Sequence, residues 1–366
     1  MKFEELNLSQ ELLQAVQLLG FKEPTKIQEL AIPKILSGEN IIGQAPTGTG
    51  KTMAYLLPIF QRLDASSKNI QAVILSPTYE LSMQTARTAN DLADKSGLPL
   101  KAQGLIGGAN ISRQIDALKK KPQLIAGSAG RIMELYRKRK LHLHAVKFLV
   151  LDEFDRLLDK QHYNSVLEVF KLLPKDIQCM MFSATAPKKA LEQSKIFGDL
   201  ELIKVAADAA FAAERENLYK IVEFREKITE VRKLTHRFKI KRGLVFINRN
   251  FDAFVTLEKL RYDGIKAESL IGTSDKVKRK HAIADFKSGK AQLLLSTDLA
   301  ARGLDIADID YVINLNFPDN AQMYLHRAGR TARAGATGKV ITLVDKKELY
   351  KLDELRKKLK IDFIKI

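Results

Sequence analysis

Short apolar segments that favour β-strands alternate along this chain with segments of helical length, and this alternation constrains the fold most strongly. In the first half, strands are predicted at 41–42, 72–75, 124–126, 148–151 and 179–182. In the second half they are predicted at 243–247, 268–271, 292–296, 311–315 and 340–344. Such alternation is typical of parallel sheets that helices cover on both faces. The sequence therefore predicts an α/β fold with two such sheets.

The Ala-rich segment AADAAFAAER at 206–215 separates the two series and carries no strong strand or turn signal. We therefore expect an N-terminal domain at 1–205, a linker at 206–216 and a C-terminal domain at 217–366. A chain of 366 residues is long enough for two such domains. Near its end, leucines at 349, 352, 355 and 359 have helical spacing, which predicts a closing helix over 346–360.

The charge of the chain indicates a polyanionic partner. Lys and Arg number 61 against 43 Asp and Glu, which gives a net charge of +18 that folding does not require. The single cysteine, Cys179, excludes an internal disulfide and fits a reducing compartment. No apolar run approaches the roughly 18 residues of a membrane span, and the acidic start MKFEELNLSQELL lacks a signal core. We expect a cytoplasmic protein that does not enter a membrane.

The segment APTGTGKT at 45–52 lies between a predicted strand and a predicted helix and indicates a phosphate-binding loop. Small residues allow successive backbone N–H groups to surround a phosphate chain, and the helix N-terminus adds positive potential. Lys51 is expected to reach the β- and γ-phosphates, and Thr52 to bind Mg²⁺. The other loop residues predicted to bind nucleotide are Ala45, Pro46, Thr47, Gly48, Thr49 and Gly50.

A second acidic segment, DEFD at 152–155, directly follows a predicted strand. Asp152 is expected to hold Mg²⁺, directly or through water, and Glu153 to orient and deprotonate the attacking water. An acidic pair at a strand end would, in isolation, more often be a solvated turn. The phosphate loop about 100 residues earlier in the same α/β series favours the catalytic interpretation.

These two segments, together with SAT at 183–185 and HRAGRTAR at 326–333, resemble the DEAD-box ATP-dependent RNA helicases. The resemblance covers nearly the whole chain, and its motifs occur in family order. It implies two RecA-like P-loop NTPase domains joined by a short linker, with ATP and Mg²⁺ as cofactors. It also implies a monomer whose partner is RNA, as a single strand or short duplex with weak sequence preference, and ribosomal RNA is one candidate.

The segment GFKEPTKIQ at 20–28 matches the Q motif of that family. In the family this region stacks on the adenine, and Gln28 reads its edge. An amide can pair bidentately with adenine N6 and N7, so this match implies a preference for ATP over GTP. The resemblance also assigns Phe3, Phe21 and Thr25 to the nucleotide site.

Several short matches imply contacts with the sugar–phosphate backbone of RNA. Small residues and hydroxyls at strand ends suit such contacts, although each match is weak alone. In the first domain these residues are Pro77, Thr78, Gly107, Gly108, Ser128, Gly130 and Arg131, and in the second they are Asn248, Gly272 and Thr297.

The resemblance assigns the segment at 326–333 to ATP hydrolysis. Arg330 and Arg333 correspond to arginine fingers, which stabilise charge that develops on the γ-phosphate. His326 is implied to link the nucleotide to Asp155 and to the SAT residues Ser183 and Thr185. Asp305 is implied to contact the ribose.

The chain departs from the family pattern at several positions. Phe154 replaces the Ala of DEAD, Tyr79 replaces the Arg of PTREL, and Ala332 replaces the second Gly of GRTGR. Lys276 stands where Gln is usual and Arg249 where Thr is usual. We interpret His142 and His144, beside the basic run 137–140, as basic surface rather than as metal ligands.

Together these features predict an RNA-stimulated ATPase that unwinds short RNA duplexes locally and without processive travel. Two alternatives remain open. Phe154 and Tyr79 are compatible with an ATP-gated RNA clamp that has little turnover, and the two-domain pattern also occurs in DNA-directed helicases. A small-molecule kinase is disfavoured by the second domain.

Overall fold

The computed structural model describes residues 1–205, 215–248, 250–271, 276–301, 306, 309–332 and 337–366. The chain divides into two compact units, Met1–Ala206 and Ala207–Ile366. Each unit is built around one seven-stranded sheet.

All neighbouring strands of the first sheet are parallel, in the order β3-β4-β2-β5-β6-β1-β7. The strands are β1 Ile41–Gln44, β2 Ala72–Leu75, β3 Ala102–Leu105, β4 Leu124–Gly127, β5 Phe148–Asp152, β6 Gln178–Ser183 and β7 Glu201–Lys204. The helices are α1 Gln10–Leu18, α2 Lys26–Leu36, α3 Lys51–Arg62, α4 Tyr79–Ser96, α5 Ile111–Leu118, α6 Ala129–Arg137, α7 Phe154–Leu157, α8 Tyr163–Phe170 and α9 Lys188–Ser194.

The second sheet is also parallel, in the order β10-β11-β9-β12-β13-β8-β14. Its strands are β8 Arg215–Ile221, β9 Gly243–Phe246, β10 Ala267–Ser269, β11 Leu293–Ser296, β12 Tyr311–Asn314, β13 Gly338–Val344 and β14 Ile364–Lys365. The described helices are α10 Lys227–Arg237, α11 Asn250–Tyr262, α12 Lys276–Lys287, α13 Asp298–Ala301, α14 Ala321–Ala328 and α15 Leu349–Leu359.

Each sheet has an apolar layer on both faces because successive side chains of a strand point in opposite directions. In β2, Ala72 and Ile74 belong to one buried cluster, whereas Val73 and Leu75 belong to another. In β12, Val312 and Ile313 divide in the same way. Burial on both faces explains why the central strands are continuous apolar runs. The predicted α/β class, with parallel sheets covered by helices, is confirmed.

Four strands were not predicted from the sequence: β3, β7, β8 and β14. In β7 only Ile203 is buried, and both residues of β14 are exposed. These strands carry few buried apolar side chains, because β3, β7 and β14 lie at sheet edges and β8 is next to one. Arg215 and Glu216, which the linker prediction included, begin β8 and belong to the second sheet. Residues 206–214 lie outside the described part of the chain.

Parallel strands place all their carboxyl ends at one edge of a sheet, and loops at that edge are the usual ligand sites of α/β folds. In the first unit, the segments that follow β1, β5 and β6 therefore lie side by side. The register confirms this proximity, because Gln44 is opposite Ser183 and Asp152 is opposite Phe182.

Candidate functional site

The loop between β1 and α3 has the shape of a phosphate-binding turn. Gly48 and Gly50 have φ angles of +85° and +83°, which non-glycine residues rarely adopt. The Lys51 Nζ donates hydrogen bonds to the carbonyls of Ala45 at 2.7 Å and Pro46 at 2.8 Å. The ammonium therefore lies within the turn, where it can exchange carbonyl oxygens for phosphate oxygens.

The Q-motif segment is tied to this loop. The Thr25 hydroxyl donates to the carbonyl of Thr49 at 2.7 Å, and Gln28 Nε2 donates to the carbonyl of Gly50 at 3.1 Å. Gln28 Oε1 also accepts from the backbone N–H of Thr25 at 3.0 Å, which caps the start of α2. A Cβ on Gly50 would lie 2.4 Å from Gln28 Nε2, so glycine is required there for this approach. Gln28 thus positions the phosphate loop, and its reading of adenine stays a prediction.

The two aromatic residues assigned to the nucleotide differ in exposure. Phe21, within the Q-motif segment, is 39% exposed. Phe3 is 4% exposed and packs in the apolar core of the first unit. A ring with so little exposed surface leaves no face on which a base could stack, so the structure favours a packing role for Phe3 over the predicted stacking on adenine.

Asp152 ends β5 as a buried carboxylate, with a residue exposure of 4%. Its Oδ2 accepts a hydrogen bond from the Tyr55 hydroxyl of α3 at 3.0 Å, and its Oδ1 accepts from the backbone N–H of Glu153 at 3.0 Å. Burial is the largest cause that raises the pKa of Asp152 to about 6, and the charge of Glu153 raises it further, whereas Lys51 lowers it. A buried carboxylate beside a single ammonium is suited to a divalent cation.

The backbone of this acidic segment turns sharply. Glu153 has φ 56° and ψ 50°, a left-handed conformation that is uncommon for a non-glycine residue and that frequently occurs at functional sites. Phe154, the departure from the family pattern, is fully buried in the apolar cluster on one face of the sheet. Its bulk is accommodated by packing.

The SAT segment follows β6 and connects to the acidic segment. The Thr185 hydroxyl donates a hydrogen bond to Asp155 Oδ2. The backbone N–H of Ala45 donates to the carbonyl of Ser183 at 3.0 Å, and the Ser183 hydroxyl accepts from Thr185 N–H at 3.4 Å. The phosphate loop, the acidic segment and SAT therefore form one hydrogen-bonded cluster.

The residues assigned to RNA in the first unit follow β2, β3 and β4. The Thr78 hydroxyl accepts from Leu81 N–H at 3.3 Å and caps α4. Arg131 is 7% exposed, its Nη2 donates to the carbonyl of Ala109 at 3.2 Å, and its Nε lies 3.1 Å from Glu134 Oε2. Among the residues that the structure describes, Arg131 Nη1 has no hydrogen-bond partner.

The remaining first-unit residues assigned to RNA lie at the same edge of the sheet. Pro77 precedes the Thr78 cap, Gly107 and Gly108 follow β3, and Ser128 and Gly130 flank the start of α6. Gly108 has φ +67°, and a Cβ added at Gly107 would meet no atom within 4 Å. Tyr79, in place of the usual Arg, is 46% exposed.

In the second unit, Arg327 of α14 holds several family segments together. It is fully buried and donates to both carboxylate oxygens of Asp298 at 2.7 Å and to Asn248 Oδ1 at 2.7 Å. It also donates to Asn314 Oδ1 at 3.2 Å and to the carbonyl of Asn316 at 2.9 Å. The segments that contain Asn248, Asp298 and His326–Arg330 are thereby fixed to one another.

Arg215 of β8 supports the turn that follows α14. It is 8% exposed, and its Nη2 donates to the carbonyls of Thr331 at 3.0 Å and Ala332 at 2.9 Å. Its Nε donates to Thr331 at 3.2 Å and to Ala328 at 3.3 Å. Ala332, where glycine is usual in the family, has a φ of 54°. A guanidinium thus holds the carbonyls of a turn that an alanine strains.

Arg330 lies in this turn and is 8% exposed, and His326 is half-buried on α14. Thr297 caps α13 by accepting from Ala300 N–H at 3.1 Å. Gly272, Asp305 and Arg333 lie outside the described residues, as does Arg249, and the side chain of Lys276 is also outside them.

Three residues that the sequence analysis did not assign to the site contribute to its geometry: Tyr55, Arg215 and Arg327. Arg327 could have been singled out, because it lies within HRAGRTAR. Nothing in the local sequence marks Tyr55 or Arg215.

His142 and His144 are exposed, with ring centroids 6.5 Å apart. Within the described ranges, no three His, Cys, Asp or Glu side chains form a metal-binding group.

Comparison with known proteins places the chain among helicases. Residues 25–194 match the family model described as DEAD/DEAH box helicase, and residues 226–335 match the helicase conserved C-terminal domain. The chain is 41% identical over 355 residues to the DEAD-box ATP-dependent RNA helicase CshC of Bacillus cereus, covering 97% of this chain and 90% of that protein. It is 40% identical over 344 residues to the probable ATP-dependent RNA helicase YfmL of Bacillus subtilis, covering 94% and 90%.

Solved structures agree with these relatives. The structure of S. cerevisiae Dbp5 bound to RNA and ADP BeF3 matches with a TM-score of 0.88 and 28% identity, covering all of this chain and 95% of that one. Mss116p bound to ssRNA and AMP-PNP matches with a TM-score of 0.87 and 25% identity, covering all of this chain and 78% of that one.

Among the described residues, no helix is both long and apolar enough to span a membrane.

Proposed function

Since the chain belongs to the DEAD/DEAH box helicase family, we propose that it is an RNA-stimulated ATPase that opens short RNA duplexes locally and without processive travel. The observation that carries this proposal is the hydrogen-bonded cluster of the phosphate loop, Asp152–Asp155 and SAT at one edge of the first sheet. Beside it, at the same edge, lie the segments that follow β2, β3 and β4. A nucleotide and an RNA strand would therefore bind neighbouring loops of one sheet.

The first unit is proposed to bind ATP and Mg²⁺. Lys51 and the loop residues 45–50 would hold the phosphates, and Thr52 and Asp152 would hold Mg²⁺, directly or through water. The burial of Asp152 and its raised pKa fit this assignment, because a cation would stabilise the ionised carboxylate. The ion would neutralise charge on the phosphate oxygens.

Glu153 is proposed as the base that orients and deprotonates the attacking water. Its backbone is left-handed, and its N–H donates to the Asp152 carboxylate. The adenine end would be bounded by Phe21, Thr25 and Gln28, with Phe3 packing beneath this segment.

RNA is proposed to lie across the backbone and small side chains that follow β2–β4, with Arg131 among the residues of this edge. In the second unit, Asn248, Gly272 and Thr297 are proposed as further contacts. Phosphate and sugar contacts imply weak sequence preference and strong salt dependence.

Residues of the second unit are proposed to complete hydrolysis. Arg330 and Arg333 would contact the γ-phosphate as arginine fingers, His326 would link to Asp155, Ser183 and Thr185, and Asp305 would contact the ribose. Hydrolysis would remove the γ-phosphate contacts and so release the RNA. The domain division at 1–205, 206–216 and 217–366 belongs to this proposal, with the second sheet beginning at Arg215.

The cellular setting is also proposed. A single cysteine, which is buried, fits a cytoplasmic protein. The net charge fits a structured RNA substrate such as ribosomal RNA, and we propose that the protein acts as a monomer. The alternative of a clamp with little turnover is favoured by one observation only, the exposed Tyr79 in place of a cationic RNA contact.

The test is multiple-turnover ATP hydrolysis with saturating RNA, compared with DNA of the same sequence. We expect stimulation by RNA and little by DNA, together with ATP-dependent opening of a short duplex. Lys51→Ala serves as the inactive control. Equal stimulation by DNA would support a DNA-directed helicase, and tight ATP-dependent RNA binding without turnover would support a clamp.

A further inference from the structure

The amino edge of the first sheet is strongly basic. Five connections lead into β2, β3, β4, β5 and β6, at 63–71, 97–101, 119–123, 138–147 and 171–177. We call them the amino-edge surface. They contain eleven Lys and Arg against two Asp, so 36 of the 366 residues carry a net +9, half of the +18 of the whole chain.

Backbone hydrogen bonds join these connections into one continuous edge. The N–H of Gln123 donates to the carbonyl of Lys101 at 3.1 Å, and the N–H of Gln71 donates to the carbonyl of Gln123 at 2.8 Å. The N–H of Lys147 then donates to Gln71 at 2.7 Å, and the N–H of Gln178 to Lys147 at 2.8 Å. The five strands are neighbours in the sheet, so the basic edge spans about 19 Å at roughly 4.8 Å per strand spacing.

The cations of this surface face solvent. All eleven are exposed. Lys119 pairs with Asp116 at 2.8 Å. Within the described part of the chain, no carboxylate lies within ion-pair distance of Lys120, Lys121, Lys138 or Lys140.

Helix termini account for only part of this charge. The carboxyl ends of α5 and α6 lie at this edge, and a cation near a helix C-terminus is favourable by about 0.3–1 kcal/mol, an effect limited to the last turn. One cation per helix would serve that purpose. Lys119–Lys121 follow α5 and Lys138–Lys140 follow α6, so each helix is followed by three.

The chemistry of the surface favours a nucleic acid over a protein partner. Protein interfaces depend on buried aromatic or aliphatic anchors. Throughout these five connections, all of which the structure describes, no large hydrophobic side chain is exposed. A sugar–phosphate backbone needs dispersed cations and no apolar anchor.

We infer that the amino-edge surface is a second RNA-binding surface, which holds structured RNA through its phosphates while the opposite edge of the same sheet acts on a single strand. This inference rests on the RNA binding of the proposed function. Strands of four to six residues separate the two edges by about 13–20 Å, before their loops are counted. A short single strand whose nucleotides all lie at the motif edge has none left for the amino edge, whereas a long folded RNA reaches both edges and gains effective concentration.

The test compares the full-length protein with a variant that carries Lys120→Gln, Lys121→Gln, Lys138→Gln and Lys140→Gln. The matched control removes four exposed lysines of the second unit, Lys346, Lys347, Lys357 and Lys360, also as Gln. Binding is measured with a folded RNA of several hairpins and with a single strand of about 10 nucleotides, a length typical of single-strand sites. ATP hydrolysis stimulated by the short strand shows whether the motif site still functions.

We expect the first variant to bind the folded RNA about tenfold or more weakly, with the slope of log K against log salt reduced by about 3. Its affinity for the short strand and the stimulated hydrolysis should be unchanged, and the control should keep wild-type affinity for both. An equal loss in variant and control, or unchanged binding of folded RNA, would overturn the inference. If the first variant lost binding to polyglutamate but kept its binding to folded RNA, the inference would also be overturned, in favour of an acidic protein as the partner. If the wild type itself bound no RNA, the proposed function would fail instead.

Discussion

The burial of Asp152 allows a stability prediction that is separate from catalysis. We expect Asp152→Asn to raise the free energy of unfolding of the ligand-free first unit at pH 7. Burial raises the pKa of this carboxyl from 3.8 to about 6. The folded state therefore binds the proton more tightly than the unfolded chain does, so ionisation destabilises the fold. The cost is absent below about pH 4 and is complete above about pH 6.

The magnitude follows from the pKa difference. Two pKa units correspond to about 3 kcal/mol, since one unit is 1.36 kcal/mol. Asparagine keeps an oxygen that can accept from the Tyr55 hydroxyl, but its NH₂ group would face the N–H of Glu153. That mismatch of two donors costs about 1 kcal/mol. The net stabilisation expected at pH 7 is therefore about 2 kcal/mol, with loss of ATP hydrolysis.

The assay is hydrogen exchange of the β5 and β6 amides without nucleotide or Mg²⁺, corrected for intrinsic rates, between pH 4 and pH 8. This readout reports on the first unit alone. The matched control is Asp64→Asn. Asp64 is an exposed carboxylate that accepts from Ser66 N–H and hydroxyl, and these hydrogen bonds lower its pKa. The control should therefore give no stabilisation at pH 7. If Asp152→Asn were no more stable than wild type at pH 7, the assignment of Asp152 as a destabilising buried charge would be refuted.

Further substitutions test the other parts of the site. Lys51→Ala should abolish binding of a fluorescent ATP analogue, because no other ammonium lies in the turn among the described residues; wild-type affinity would contradict the phosphate-loop assignment. Gln28→Ala should weaken ATP binding and its preference over GTP, as measured by GTP competition, and an unchanged preference would remove Gln28 from adenine recognition. Glu153→Gln should leave ATP and RNA bound together with hydrolysis lowered, and fast release of both would exclude Glu153 as the base. Arg215→Met should lower the maximal hydrolysis rate with little change in the KM for ATP, and adding Ala332→Gly should restore part of the rate. Equal rates in Arg215→Met and wild type would show that Arg215 does not position the turn at 330–332.

The sequence was sufficient to predict the central strands and to mark the segments that lie together at one edge of the first sheet, for a physical reason. Strands buried on both faces, such as β2 and β5, must be apolar runs, so composition alone reveals them. The phosphate loop is equally visible, because its function requires glycine at the two left-handed positions, Gly48 and Gly50. Edge strands are different. Three of the four side chains of β7 are exposed, and backbone pairing holds this strand without an apolar pattern.

The supporting residues could not be predicted because their role depends on contacts between distant parts of the chain. Tyr55 and Asp152 are 97 residues apart, and Arg215 and Ala332 are 117 apart. The residues next to Tyr55 or Arg215 in the sequence do not indicate such distant contacts. The burial of Phe3 is similar, since a lone aromatic near the N-terminus suits a stacking role and a core role equally well until its neighbours are known.

The central claim is that residues of the second unit take part in cleaving a triphosphate that the first unit binds. The most direct measurement is single-turnover hydrolysis of ATP by Arg330→Ala with saturating RNA, alongside the affinity for a fluorescent ATP analogue. An arginine finger contributes about 10³–10⁵ in rate, so hydrolysis should fall by at least about 10³-fold while ATP affinity changes little. Hydrolysis at the wild-type rate would contradict the claim.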